Sequence, residues 1–325
     1  MLGRYVLIAV GLGRNPILTT VGSKLVSMRD AIAQHVPDGS SVALGLALEA
    51  LIPFAAGHEI IRQKKRGLTL IGPISDILFD QLIGAGCVSS VIAAWVGNVS
   101  AGLGYNYRRA AESGVPNKIR IEDHSNFTIA LSLLAGGLGV PFIPAHTLLG
   151  SDILRTNPNL RTAPSPLDGE QVLLVPAIVP DVTILHVQRA ADTGACHCWG
   201  NLGVSEEGGL AAKRVIVVAE EIVSSDAIKA DPNRVLVPPQ RVSAVVHEPG
   251  GAHPSPVQGY YGRDTEFYHE YHAQSKTAAE FEVWKRRWID GIGSRNVYLK
   301  LLRSRWHALQ VKDRKLAPPV NYSAT

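Results

Sequence analysis

The chain has 325 residues, 46% hydrophobic and 18% charged, a core-forming composition that excludes intrinsic disorder. With 32 Lys and Arg against 28 Asp and Glu, the net charge of +4 is too thin for a dedicated nucleic-acid binder. Three cysteines cannot build a disulfide framework, and no run of 18 apolar residues offers a membrane-spanning helix, so a cytoplasmic protein without nucleic-acid or membrane partners is expected.

Arg4 precedes a short apolar run, but Asn15 and Pro16 follow without a small-x-small cleavage site, so a secretory signal is not favoured. Residues 1–27 are expected to be a poorly ordered extension, 28–310 a single domain and 311–325 a tail. Ile32 and Val36 place a short helix over 28–36. A buried strand is predicted over 41–46, then a helix from Pro53 to Arg62, closed by the basic cluster 64–66 and Gly67. Strands follow at 68–72 and 88–96, separated by a helix around Phe79 to Ile83. A helix over 108–114, a strand over 119–122 and a helix from Ser125 to Leu138 continue the alternation. Residues 147–169 lack apolar periodicity and read as a long surface excursion. Strands resume at 172–176, 182–187, 214–219 and 242–246. From Thr277 the chain reads as helical, with Phe281, Trp284, Trp288 and Ile292 on one face. Strand and helix in alternation predict an α/β fold, an open three-layer α/β/α arrangement around a mainly parallel sheet.

No P-loop, HExxH, GxSxG or paired CxxC is present, and no GxGxxG stands in a strand–turn–helix context. Cys196-His197-Cys198 is the one string that suggests a metal. A single residue between the two thiols is too few for a tetrahedral site, and Cys87 is remote, so no metal and no bound cofactor are expected. His269 and His272, beside Tyr268 and Tyr271, read as an amphipathic surface. Between residues 285 and 315 lie ten Lys or Arg and two Asp, either a solvated face or a docking surface for an acidic partner or an anionic cofactor tail.

In open α/β sheets ligands bind beyond the carboxyl ends of the strands. Glu122-Asp123 and Glu220-Glu221 occupy such ends. Glu122 either lines a functional cleft as base or nucleophile, or belongs to a helix-capping system in which Asp123 or Ser125 caps the next helix. For Glu220 a structural ion pair is the favoured reading. Gly72-Pro73-Ile74-Ser75 and Gly97-Asn98-Val99-Ser100 follow consecutive strands. Glycine lets backbone amides approach an oxygen and Ser or Asn adds a donor, so Gly72, Ser75, Asn98 and Ser100 are candidate substrate contacts; ordinary turn chemistry is the other reading.

These blocks resemble the A chain of glutaconate-type coenzyme A transferases, family I. The resemblance spans about Met28 to Leu302 and rests on Asp38-Gly39-Ser40-Ser41-Val42-Ala43-Leu44-Gly45, Ile121-Glu122-Asp123-His124-Ser125, Gly139-Val140-Pro141-Phe142, His186-Val187-Gln188-Arg189-Ala190 and Ala244 to Pro254. Gly45-Leu46-Ala47 departs from the usual Gly-Gly-Phe. The resemblance implies a hetero-oligomer of homologous A-type and B-type subunits sharing an interfacial site. Substrates would be a CoA thioester and a carboxylic acid, with a dicarboxylic acid expected. The nucleophilic glutamate is implied to belong to the B-type partner. Relatives in actinobacterial steroid breakdown share this two-chain fold but open a ring in a CoA thioester by hydrolysis. That alternative would make Glu122 the acid/base.

Overall fold

The computed structural model describes residues 22–312. The expectations for residues 1–21 and 313–325 lie outside the described residues. Ser27 opens the first helix by accepting the Asp30 N–H at 3.1 Å. Helix and strand then alternate through α1 (Met28–His35), β1 (Ser41–Ala43), α2 (Phe54–Arg62), β2 (Leu68–Ile74), α3 (Asp76–Gly84) and β3 (Val88–Trp95). A hairpin of β4 (Gly97–Asn98) and β5 (Gly102–Leu103) leads into α4 (Tyr105–Ser113), β6 (Arg120–Asp123) and α5 (Asn126–Leu138). Next come β7 (Phe142–Ala145), α6 (Asp152–Thr156), β8 (Arg161–Pro164), β9 (Gln171–Pro176), β10 (Val182–Ala190) and β11 (Cys196–His197). The chain closes with α7 (Ser205–Ala211), β12 (Arg214–Ile222), α8 (Ser225–Lys229), β13 (Val242–His247), α9 (Thr265–Ala273), α10 (Ala278–Lys285), α11 (Arg295–Leu302) and α12 (Ser304–Leu309).

The main sheet runs β13-β12-β10-β1-β2-β3-β6, and every neighbouring pair on this path is parallel. All carboxyl ends therefore meet at one edge. Strand residues alternate between two cores, as a pleat of period two requires. Val42, Leu70, Val91, Ile184 and Ile216 face one layer, with α1 to α4 and α9 to α11; Ala43, Ile71, Leu185, Val187 and Val217 face the other, with α5 and α7. Asp181 ties the amino ends of two central strands together by accepting from the Ser41 N–H at 2.9 Å and from Lys213 at 2.8 Å. The three-layer parallel α/β architecture expected from the sequence is the one observed.

Four local expectations are corrected. The run 41–46 pairs only as far as Ala43, because Gly45 turns left-handed and Leu48 and Leu51 adopt positive φ. Residues 147–169 are no bare excursion: α6 and β8 join β7 and β9, the three strands forming an antiparallel sheet around Leu160, Leu173 and Val175. His269 is exposed and His272 half-buried, as an amphipathic helix requires, but the neighbouring Tyr268 and Tyr271 are core residues of α9 and no part of the surface. The ordered chain precedes Met28: the Val26 N–H donates to Val245 O and Val245 N–H to Lys24 O, adding a short parallel stretch beside β13. At the other end Val311 N–H donates to Tyr260 O. The basic stretch is not uniformly free, since buried Arg295 donates to Gly250 O and His253 O and Arg305 pairs with Glu270. Phe281, Trp284, Trp288 and Ile292 are buried as expected, Trp288 in an edge-on contact with Phe267 at 4.9 Å.

Candidate active site

From β1 the sheet grows in both directions, through β2, β3 and β6 on one side and β10, β12 and β13 on the other. Strand order reverses between β1 and β10, with β2 adjoining, and in an open α/β sheet the ligand site is expected outside the carboxyl ends at that point. Three non-glycine residues with left-handed backbone, Leu48, Leu51 and Asp76, stand in the turns that follow β1 and β2. Such strained conformations cost about 1–3 kcal/mol each and concentrate at functional sites.

The turns after β1 and β2 touch closely. Ser75 Oγ donates to Leu44 O at 2.7 Å. Gly45, at φ +68°, has no room for a Cβ against Ser75, and a Cβ on Gly72 would stand 2.8 Å from Leu44 O. Glycine at both positions is thus required by close approach. Asn98 is buried, with Nδ2 donating to Tyr268 O at 2.8 Å and Oδ1 accepting the Ser100 N–H at 3.0 Å. Gly72, Ser75 and Asn98 thus shape the turns, while Ser100 is half-buried and its hydroxyl accepts from Arg263 Nη2 at 3.0 Å.

Sequence reasoning missed the group at the centre of these turns. Arg263 Nη2 donates to Asp76 Oδ2 at 2.7 Å, and Val99 N–H donates to Asp76 Oδ1 at 3.1 Å. The guanidinium carbon lies 3.9 Å from the centre of the Tyr268 ring. Its Nη1 is 3.5 Å from a carboxylate oxygen of Glu49, whose side chain is 51% exposed at the mouth. Burial raises the pKa of Asp76 above the ordinary carboxylate value, opposed by Arg263. Burial also works against the charge on Arg263, but Tyr268 and Asp76 outweigh it and hold its pKa above the usual value. The string Tyr261-Gly262-Arg263-Asp264 was visible in the sequence, yet nothing local brings it to Asp76, 187 positions earlier.

Glu122 stands apart, on β6, two strands beyond β2 and so about 10 Å of sheet away. His124 Nε2 is 3.1 Å from its Oε1, and Asn159 donates to Oε2 at 2.7 Å. The hydrogen bond to His124 holds its pKa below the ordinary value, with Asn159 adding to the effect against burial. Ser125 and Thr128 form a reciprocal capping box, so the capping role belongs to Ser125. Glu220 is a buried structural acid, accepting from Tyr261 OH at 2.6 Å and Gly250 N–H at 2.8 Å and paired with His186 at 2.7 Å. His253, between Asp264 and Tyr298, is likewise structural; burial pushes its pKa down to about 4. Cys87, Cys196 and Cys198 are buried free thiols, and among the described residues no cluster of His, Cys, Asp or Glu is arranged to hold a metal ion. No helix among the described residues is long and apolar enough to cross a membrane.

A parallel sheet with its crevice at the switch point, walled by turns rich in small residues, defines an α/β enzyme that takes its ligand beyond the strand ends. The chain belongs to the coenzyme A transferase family, whose profile matches residues 25–248. It is 42% identical to the A chain of 3-oxoadipate CoA-transferase from Pseudomonas knackmussii over 269 residues, 83% of this chain and 94% of that one. It is 32% identical to the A chain of glutaconate CoA-transferase from Acidaminococcus fermentans over 317 residues, 92% and 97% of the two chains. The crystal structure of glutaconate CoA-transferase from Acidaminococcus fermentans superposes with a TM-score of 0.84, covering 89% of this chain and 96% of that one. The cholesterol ring-cleaving hydrolase IpdA subunit of Rhodococcus jostii is 25% identical over 285 residues, 82% and 92% of the chains.

Proposed function

We propose that this chain is the A-type subunit of a two-subunit, cytoplasmic CoA transferase. In this reading it moves CoA from a thioester to a dicarboxylic acid, and a glutamate of the B-type subunit is the nucleophile. The reading rests on one observation above others: the acids at this chain's own crevice are already engaged. Asp76 is fully buried and bonded to Arg263 and Val99, so it cannot advance on a thioester. Glu49 lies 3.5 Å from the same guanidinium with its side chain half-exposed. The attacking carboxylate is therefore assigned to the other chain, in keeping with relatives named as the A chain of a CoA-transferase. The three free buried thiols support a reducing compartment.

The chemistry balances without a redox partner. The partner's carboxylate attacks the thioester carbonyl, the C–S bond breaks, and CoA leaves as thiolate, which leaves a mixed anhydride of the acyl group and the glutamate. The thiolate attacks the glutamyl carbonyl and releases the first acid, leaving a glutamyl-CoA thioester. The acceptor carboxylate then repeats the sequence in reverse, giving ping-pong kinetics. In this scheme Ser100 and Arg263 face the acceptor side of the crevice. Gly72, Ser75 and Asn98 act by shaping the backbone around the turns after β1 and β2 and the β4–β5 hairpin.

The hydrolase reading, with Glu122 as acid/base, is the weaker one. A general acid at neutral pH needs a raised pKa. His124 and Asn159 push Glu122 the other way. Steady-state assay of the chain alone and with its B-type partner tests the proposal. The expected result is no CoA transfer by the chain alone and parallel-line kinetics for the pair; transfer by the chain alone would overturn it.

A further inference from the structure

Arg263 is bonded through one of its two terminal nitrogens. Nη2 donates to Asp76 Oδ2 at 2.7 Å and to Ser100 Oγ at 3.0 Å, and the Tyr268 ring lies under the guanidinium. Nη1 is buried and donates no hydrogen bond among the described residues. Idle donors on a buried charged group are costly, and each such group calls for an explanation. Over Nη1 stands Glu49 Oε2, 3.5 Å away, on a half-exposed side chain. The backbone of that turn is fastened: Ser255 Oγ donates to Glu49 O at 2.7 Å and Leu51 N–H to Pro256 O at 3.0 Å. Leu48 and Leu51, at φ +63° and +54°, bracket Glu49. The turn is set, while the carboxylate above the guanidinium can swing outward. Beside it the Ser100 hydroxyl accepts from Arg263 and donates its own proton to no group among the described residues.

Unmade donors on a guanidinium that Asp76, Ser100 and Tyr268 already hold in place form a preorganised anion receptor. Glu49 shows the chemistry that fits it, a single carboxylate. We propose that Arg263 Nη1 and the Ser100 hydroxyl receive the non-reacting carboxylate of the acceptor acid, and that Glu49 holds their place until that carboxylate displaces it. This inference rests on the transferase reading and names the residues that select its acceptor. One carboxylate replaces another, so the charge beside the Asp76–Arg263 pair is conserved. A carboxylate held by a guanidinium is a weaker nucleophile, so the bound group is the one that takes no part in transfer. A monocarboxylic acid has nothing to displace Glu49 with and leaves the donors unmade, which is how a polar site rejects an analogue lacking its polar group.

The test uses the enzyme assembled with its co-expressed B-type chain, acetyl-CoA and succinyl-CoA as donors, and two acceptor pairs: glutarate with valerate, and adipate with hexanoate. In each pair a methyl group replaces the second carboxylate. Arg263→Lys and Ser100→Ala are expected to raise KM for the dicarboxylate by at least about tenfold, the loss of a charge-assisted hydrogen bond, and to move the monocarboxylate far less. Glu49→Gln removes the competing carboxylate and should lower the dicarboxylate KM about two- to fivefold, the worth of a half-exposed pair. The changes should fall on KM rather than kcat, and calorimetry of glutarate and adipate binding should follow them. Circular dichroism checks each variant, and Glu49→Gln and Ser100→Ala carry the test if Arg263→Lys fails to fold. Equal changes for both members of each pair, a higher dicarboxylate KM in Glu49→Gln, or altered affinity for the B-type chain with acceptor discrimination intact would overturn the inference. CoA transfer whose discrimination none of the variants moves would sink the receptor and leave the transferase reading. Dicarboxylate binding that depends on Arg263, without CoA transfer to either acid, would sink the transferase reading and leave the receptor.

Discussion

Removing the Arg263 guanidinium leaves Asp76 stranded. Its side chain is fully buried, and Val99 N–H is its remaining hydrogen-bond donor. Breaking a buried pair from one side costs about 3–5 kcal/mol, because the surviving charge has lost its compensation. Asp76 can escape part of this by taking up a proton, since burial already raises its pKa. Arg263→Gln should therefore destabilise the chain by about 3 kcal/mol near neutral pH, the lower end of that range. Asp76→Asn combined with Arg263→Gln should recover much of the loss, giving a coupling of about 2 kcal/mol in a double-mutant cycle. The sign with pH follows from a raised carboxylate pKa: the penalty is full above the folded-state pKa and relieved as pH falls through it. The Arg263→Gln deficit should thus shrink between pH 8 and pH 5. Urea unfolding of both single variants and the double variant at those two pH values measures both quantities. A coupling below about 0.5 kcal/mol, the usual non-additivity of distant sites, with a deficit independent of pH, would refute the reasoning.

Other expectations follow from single contacts. Ser75→Ala leaves the Leu44 carbonyl unpaired, which should lower stability by about 1–3 kcal/mol in urea titration and reduce turnover of the assembled enzyme; unchanged turnover would remove Ser75 from the crevice's construction. Gly45→Ala meets both a left-handed backbone and the Ser75 side chain and should fail to give soluble chain or lose more than about 2 kcal/mol. Asp181 is held down to about 2, mainly by the Lys213 hydrogen bond with the Ser41 N–H next. As its side chain is one-third exposed and its Lys213 partner more so, its contribution is screened to about 1 kcal/mol or less. Because the pKa is depressed, that contribution is whole above 3.8 and lost as pH falls through about 2. Asp181→Asn should lower the denaturation midpoint at pH 7, and its gap to the wild type should close with acidification.

The layered fold was legible because it is written in short-range patterns. Mostly apolar runs such as residues 182–187 and capping signals such as Ser125 mark elements within a few residues. The small sheet was missed because Arg161–Pro164 has no apolar alternation of its own; its pairing with β9 supplies the order. The carboxyl-edge rule selected candidate residues that the structure brings near one another, Ser75 and Ser100 in turns, Gly72 near the end of β2 and Asn98 in β4. The rule also selected Glu122, on an edge strand away from those turns. Arg263 was out of reach because its importance lies in a contact with Asp76 made across the whole fold. The burial of Ser75 and Asn98 was likewise invisible, since turn chemistry and substrate contact favour the same residue types.

The division of labour between two chains is tested most directly by locating the covalent intermediate. Incubation of the assembled enzyme with an acyl-CoA, borohydride reduction and peptide mass spectrometry would reveal the modified side chain. The account calls for a reduced glutamate in the B-type partner, with the peptide around Glu122 unmodified. A modification at Glu122, Glu49 or Asp76 of this chain would contradict it.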